Sequence, residues 1–281
     1  MMKMRFSLVS TAAALLLPAM AFAQGNNGFG SSNSSSASNS CSSLPTHAQL
    51  KAALDAAVST ETSGLNLHMW ATMVDRDGIV CAVAFSGTDR GAQWPGSRVI
   101  SAQKANTANS FSLDSSSAIA GSGAATGLSL STANLYSAVQ PGGSLFGLQE
   151  SNPVAEDAAY KGPSTKFGQP NDPLVGEKVG GVNVFGGGLA LYATGKKLVG
   201  GVGLSGDTSC ADHNIAWRVR KNLGLDHLSG VGGVSDAAHP DNMIQDIVDN
   251  PTGGTGKSTS GFGHPKCLNN GDPTVLPAVQ P

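Results

Sequence analysis

Residues 198–217 read LVGGVGLSGDTSCADHNIAW, and the reading of this stretch decides the fold. Gly201, Gly203 and Gly206 spell G-x-G-x-x-G, the nominal dinucleotide fingerprint. That motif needs a strand before it, a helix returning to a second parallel strand, and an acidic residue about 20 positions on. Asp226 stands at that distance, but Asn222-Leu223-Gly224-Leu225 before it reads as a helix end. Upstream, the apolar runs 182–185, 189–194 and 198–204 are separated only by Gly186-Gly187-Gly188 and Gly195-Lys196-Lys197. Such links are too short for parallel crossovers, so the runs predict antiparallel neighbours and the fingerprint is accidental. Two near-misses fall with it: residues 203–207 lack the final glycine of G-x-S-x-G, and residues 251–258 lack the first glycine of a P-loop. What the glycines can do is let a strand pass close beneath a neighbour and turn sharply into a helix. That helix carries Ile215, Val219 and Leu223 on one side and ends at Gly224.

Working upstream, Thr46 and Gln49 form a T-x-x-Q capping box ahead of Leu50, Ala53, Leu54, Ala57 and Val58 at helical spacing. Two apolar runs, 67–74 and 79–85, flank Asp75-Arg76-Asp77-Gly78 and predict a β-hairpin. A loop with Trp94-Pro95-Gly96 leads to a predicted helix from Ser97 to about Leu113. On its projection Ile100, Lys104, Thr107 and Phe111 share one face, and Ala102, Ala105 and Ala108 form a smaller one suited to close packing. Residues 115–181 are rich in Ser, Gly and Pro; one helix is predicted near 128–139, and the rest reads as an enlarged loop.

At the N-terminus, Lys3 and Arg5 precede an apolar run to Met20 and an A-x-A site at Ala21-Phe22-Ala23, the pattern of a cleavable signal peptide over residues 1–23. The run is shorter than the roughly 20 apolar residues a membrane span needs. Residues 24–45 form a Ser/Gly/Asn-rich flexible leader, residues 46–225 the folded domain, and residues 226–281 an irregular tail. Cleavage removes two of the 17 basic side chains and none of the 19 acidic ones, leaving a mildly acidic chain that disfavours nucleic acid and anionic membrane as partners. An exported chain with Cys41, Cys81, Cys210 and Cys267 is expected to hold two disulfides. Spacing does not choose among the three pairings; Cys41–Cys81 with Cys210–Cys267 is the expectation, because the tail around Cys267 has too few apolar residues to hold itself down.

The order helix, hairpin, alanine-rich helix, long loop, meander and glycine-led helix resembles the GlcG/HbpS family of haem-binding proteins, also known as DUF336 or the haem-degrading domain family. The residues that carry the resemblance are the hairpin ATMVDRDGIVCAVAFS, the helix SAQKANTANSF, and residues 198–217 with Gly203, Ser205, Gly206 and Asp212. It implies a profilin-like α/β domain: one antiparallel sheet of about five strands, helices on both faces, and commonly a homo-oligomer. It also implies haem as the cofactor, carried or sensed. Haem iron is held by His, Cys, Met or Tyr. Of the histidines at 47, 68, 213, 227, 239 and 264, His47 opens the first helix at a plausible protomer edge and His213 follows Asp212 in the signature loop. Both are candidate iron ligands. Lys104, Thr107 and Phe111 on the mixed helix face, with Gly203, Ser205 and Gly206, are the candidate haem-contacting residues.

Two other classes stay open. One is an enzyme acting on a small organic acid, with Asp75, Arg76, Lys104 and His213 converging near the glycine turn. The other is a structural or protein-binding module of the same fold without haem.

Overall fold

The structure, a computed structural model, describes residues 41–117, 126–252, 256–272 and 275–281. The expected signal peptide and the leader before Cys41 lie outside the described residues.

Helix α1 spans His47–Thr60 and starts on the expected capping box, with the Gln49 amide donating to Thr46 Oγ1 at 3.4 Å and the Thr46 amide to Gln49 Oε1 at 2.8 Å. The chain then makes the hairpin β1 (Trp70–Asp75) and β2 (Val80–Phe85). Asp75 Oδ1 accepts from the amides of Asp77 and Ile79, both at 2.9 Å, and Gly78 adopts φ +77°, so the Asp-Gly tetrad makes the turn. Helix α2 runs Ser97–Ser110, β3 Gly188–Ala193, β4 Lys197–Ser205 and α3 Ser209–Asn222. The sheet is antiparallel throughout, in the order β2-β1-β4-β3.

Alternation along the strands sends side chains to two separate cores. Ala71, Met73, Val202 and Leu204 pack with Leu50 and Leu54 of α1 and Ile215 and Trp217 of α3. Trp70, Val74, Val83 and Phe85 pack on the other face with Val99, Ala102 and Ala105 of α2. Helices therefore cover both faces. The glycines of β4 let α2 lie directly on the strand: a Cβ on Gly203 would stand 2.0 Å from the Ser101 carbonyl oxygen, and one on Gly201 2.3 Å from that of Ala105.

Two expectations fail here. The run 182–185 is not a fifth strand: Val182 and Val184 pack with Leu130 and Leu135 in a third cluster, and the Asn183 amide bonds the Thr107 hydroxyl instead of a ladder partner. Residues 128–139 hold only two 3-10 turns, Thr132–Leu135 and Ser137–Val139, in place of a helix.

Both expected disulfides, Cys41–Cys81 and Cys210–Cys267, are formed. The tail is held by more than sulfur. Arg220 makes a buried two-pronged pair with Asp241 at 2.6 and 2.9 Å, Trp217 donates to the Pro277 carbonyl at 2.8 Å, and Leu276 and Val279 enter the main core. The sheet edges are covered by irregular chain: Val80 and Glu177 pair along β2, and Tyr192 bonds Leu225 and His227 along β3.

Candidate functional site

Two depressions flank the Trp94-Pro95-Gly96 corner, at the end of the sheet where Trp70 pairs with Ser205. The first, of about 300 Å³, is lined by Trp94, Ile100, Lys104, Phe185, Ser205 and Asp212 among others, and so includes Lys104 and the signature residues Ser205 and Asp212. Its floor is an ion pair: Lys104 Nζ lies 2.7 Å from Asp212 Oδ2 and 3.0 Å from the Leu204 carbonyl oxygen. Asp212 Oδ1 accepts from the Asp207 amide at 2.9 Å, and Thr208 Oγ1 caps α3. Burial pushes the Asp212 carboxyl up to about 6 against the pull of the Lys104 ammonium.

The remaining signature residues do other work. Thr107 is fully buried; its hydroxyl donates to the Gln103 carbonyl at 2.8 Å and accepts from the Asn183 amide at 3.0 Å. It clamps residues 182–185 to α2 with both bonds of its hydroxyl. Phe111 packs against the third cluster. Gly203 and Gly206 serve close packing, since a Cβ on Gly206 would stand 2.3 Å from the His68 carbonyl oxygen. His213 is wholly buried, its ring centroid 6.1 Å from that of Trp217, and burial pulls its imidazole down to about 3. Asp75 and Arg76 sit at the opposite end of β1, where Asp75 pairs with Gly200 and Arg76 bonds Asn109. They do not converge with Lys104.

The second depression consists of two adjoining hollows of about 320 and 210 Å³ that share Arg90 and Phe167. Trp70 and Pro95 line one; His47, Lys51 and Phe85 line the other. Trp70 and Phe85 stack with centroids 4.6 Å apart. Phe167 is held by the Arg98 guanidinium, 3.6 Å above its ring, and Arg98 is itself locked in a buried pair with Asp172. Gly168, at φ +77°, brings the backbone against this wall, where a Cβ would lie 3.0 Å from Phe85 Cβ and 3.1 Å from Trp70. His47 Nε2 donates to the Gly168 carbonyl at 2.9 Å, so that in the neutral ring the lone pair is on Nδ1. The Trp70 indole N–H is buried without a partner among the described residues.

Sequence reasoning found His47 but not Phe167, Arg90 or Trp70. The available signal was Lys51, one turn after His47 on the same face of α1, which places an imidazole and an ammonium together.

The model of the haem-degrading protein HbpS-like family matches residues 46–220. The chain belongs to the HbpS-like family. Similar solved structures include a complex of PduOC with heme (21% identity over 65% of this chain and 96% of that one, TM-score 0.41). They also include the ORFY protein of Klebsiella pneumoniae (24% identity, 64% and 90% covered, TM-score 0.40). A third is a double mutant of Streptomyces reticuli HbpS (16% identity, 74% and 99% covered, TM-score 0.35). No curated protein matches the chain. The HbpS-like match contains His47, Lys104 and His213 and leaves out the tail with His264 and Cys267.

Proposed function

We propose that this HbpS-like chain is a secreted or periplasmic haem-binding protein that carries or senses haem, holding it in the double hollow beside α1. The observation that carries the reading is the His47 ring, with one nitrogen donating to a backbone carbonyl and the other free, in an aromatic hollow rimmed by cations. Metal-binding histidines are oriented by such an outer carbonyl. Trp70, Phe85 and Phe167 offer flat apolar surface, and Lys51 and Arg90 offer charge to carboxylates at the rim. When bound, haem supplies an iron centre with a Soret absorption; this chain's own residues bind, orient and shield it. His213 fits the ligand role less well, because the interior closes around it.

Export is supported by the signal-like pattern of residues 1–23 and by the two disulfides; no helix among the described residues is long and apolar enough to cross a membrane. Homo-oligomeric assembly is part of the proposal, and Trp94 and Phe185, exposed to 51% and 44% across the first depression, are surface it would cover. Light scattering on the mature chain tests it.

Hemin titration followed in the visible tests the main reading. A saturable Soret shift is expected, with affinity at least about tenfold lower in His47→Ala; an unchanged titration in that variant overturns the assignment. The enzyme reading gains nothing from Lys104, which is committed to Asp212.

A further inference from the structure

Behind the first turn of α3, outside the double hollow, metal-ligand atoms are concentrated. Sγ of Cys210, Sγ of Cys267 and a ring nitrogen of His264 all lie within 4.8 Å of one another. His264 is already oriented as metal-binding histidines are: Nδ1 donates to the Pro265 carbonyl at 2.8 Å, and Nε2 only accepts a long contact, 3.3 Å, from the Gly186 amide. A second observation points to the same corner. His213 is fully buried, and neither of its ring nitrogens meets a well-formed hydrogen bond among the described residues, the Asn242 side chain reaching it only at marginal geometry. It lies across Gly186 from Met243: a Cβ on that glycine would stand 3.1 Å from His213 Cβ and 2.6 Å from Met243 Cε. Met243 in turn packs with Cys210 and Cys267. Buried polar groups are normally satisfied, so an imidazole without a well-formed bond here marks unused ligand capacity.

We propose that reduction of the Cys210–Cys267 disulfide turns this corner into a Cys2His site for a zinc-class divalent cation, with the fourth position left to solvent or a further ligand. The reductant is a dithiol. Its thiolate attacks Sγ of the half-buried Cys267, the S–S bond breaks, and the electron pair leaves on Sγ of Cys210. The second thiol then attacks the reductant's own sulfur in the mixed disulfide, releasing the Cys267 thiolate and a cyclic disulfide. The two protons brought by the dithiol are released when the cation takes both thiolates. Two polar groups already face this sulfur: the Cys210 amide at the start of α3 points at Cys267 Sγ from 3.2 Å, and the Ser209 hydroxyl lies 3.5 Å from it. Two thiolates and an imidazole are a ligand set that suits zinc.

Cobalt(II) is the probe, titrated into the full mature chain without hemin, with and without a phosphine reductant, which supplies the same two electrons, takes oxygen from water to become the phosphine oxide and leaves no thiol to compete for the metal. The reduced chain is expected to bind one more equivalent than reduced Cys267→Ser, with thiolate-to-cobalt charge-transfer and tetrahedral d–d absorption that zinc abolishes. His264→Ala is expected to lower the apparent affinity at least about tenfold. Absence of the thiolate–cobalt absorption from the reduced chain overturns the proposal. So does a fold that is lost on reduction and not restored by cobalt, since a site of this kind contributes its binding energy to folding. Equal binding by Cys267→Ser also overturns it. Failure here leaves the hemin titration of His47→Ala untouched, so the two readings fall separately.

Discussion

Lys104 and Asp212, 108 residues apart in sequence, meet at 2.7 Å with no more than 3% of either side chain exposed. A buried pair of this kind is costly to break and cheap to replace. Removing one partner strands a charge at a cost of about 3–5 kcal/mol, whereas an apolar pair of similar volume is often neutral. Lys104→Met and Asp212→Leu are therefore each expected to lose that much in urea unfolding, and the double variant less than either alone. A double variant equal to the sum of the singles would show that the two side chains do not act as a pair.

Gly203→Ala is expected to destabilise by about 2 kcal/mol or more, because the new Cβ meets backbone atoms, Ser101 O at 2.0 Å and the Ala105 amide nitrogen at 2.4 Å, that no rotamer change can move. A thermal melt reads the loss. Hemin affinity of the protein still folded is expected to be unchanged, since the glycine packs α2 on β4 and does not line the double hollow.

Acid should loosen the joint between the end of α2 and the start of β4. Burial pushes the Asp114 carboxyl up, but hydrogen bonds from Ser116, Lys197 and the Leu198 amide outweigh it and hold the group at about 2 against an ordinary 3.8. The folded pKa is depressed, so the contribution is fully present above pH 3.8 and is lost as pH falls toward 2; it amounts to about 2 kcal/mol. Urea midpoints measured from pH 6 to pH 2 should fall more steeply in the parent than in Asp114→Asn. Parallel profiles would refute this.

The Cys41–Cys81 bond closes a loop with a sequence separation of 40. Replacing both cysteines by serine is expected to cost about 2–4 kcal/mol, read as a lower guanidinium midpoint.

Arg90 borders both hollows and is solvent-exposed, so its contribution to haem is expected to be electrostatic. Arg90→Ala should weaken hemin binding about three- to tenfold at low salt and flatten its dependence on ionic strength. An unaltered salt dependence would remove Arg90 from the rim's role.

Local chemistry made much of the fold legible. The Thr46–Gln49 box, the Asp75–Gly78 turn and the glycine-led entry into α3 are decided by residues within a few positions of one another, and each stands where the pattern puts it. Residues 182–185 misled because alternating valines satisfy a sheet pattern equally well when they fill a side cluster, and the Thr107 hydroxyl that diverts their backbone lies in another element. Ser131 and Asn134 form a capping box in residues 128–139, yet the helix they announce does not continue beyond short turns. The site was half-visible for the same reason. His47 could be picked out as a helix-opening imidazole, but Phe167 comes from a segment without periodicity, and its place beside His47 depends on the Arg98–Asp172 pair and the conformation of Gly168. Burial of His213 was invisible because a helix of mixed pattern gave no sign that Gly186 and the tail would close over it.

The two disulfides also set how the domain carries mechanical load. Tension entering at Cys41 passes through sulfur to β2 at Cys81, bypassing α1 and β1, and tension from the C-terminal side crosses from Cys267 to Cys210, bypassing α3. From Cys41 onward, only residues 82–209, with α2, β3 and β4, and residues 268–281 lie in series with the force, each able to release about 3.4 Å of length per residue. An unfolding machine pulling on either end of the oxidised chain therefore draws a doubled strand through its pore at each staple, and reduction is what returns the hidden length.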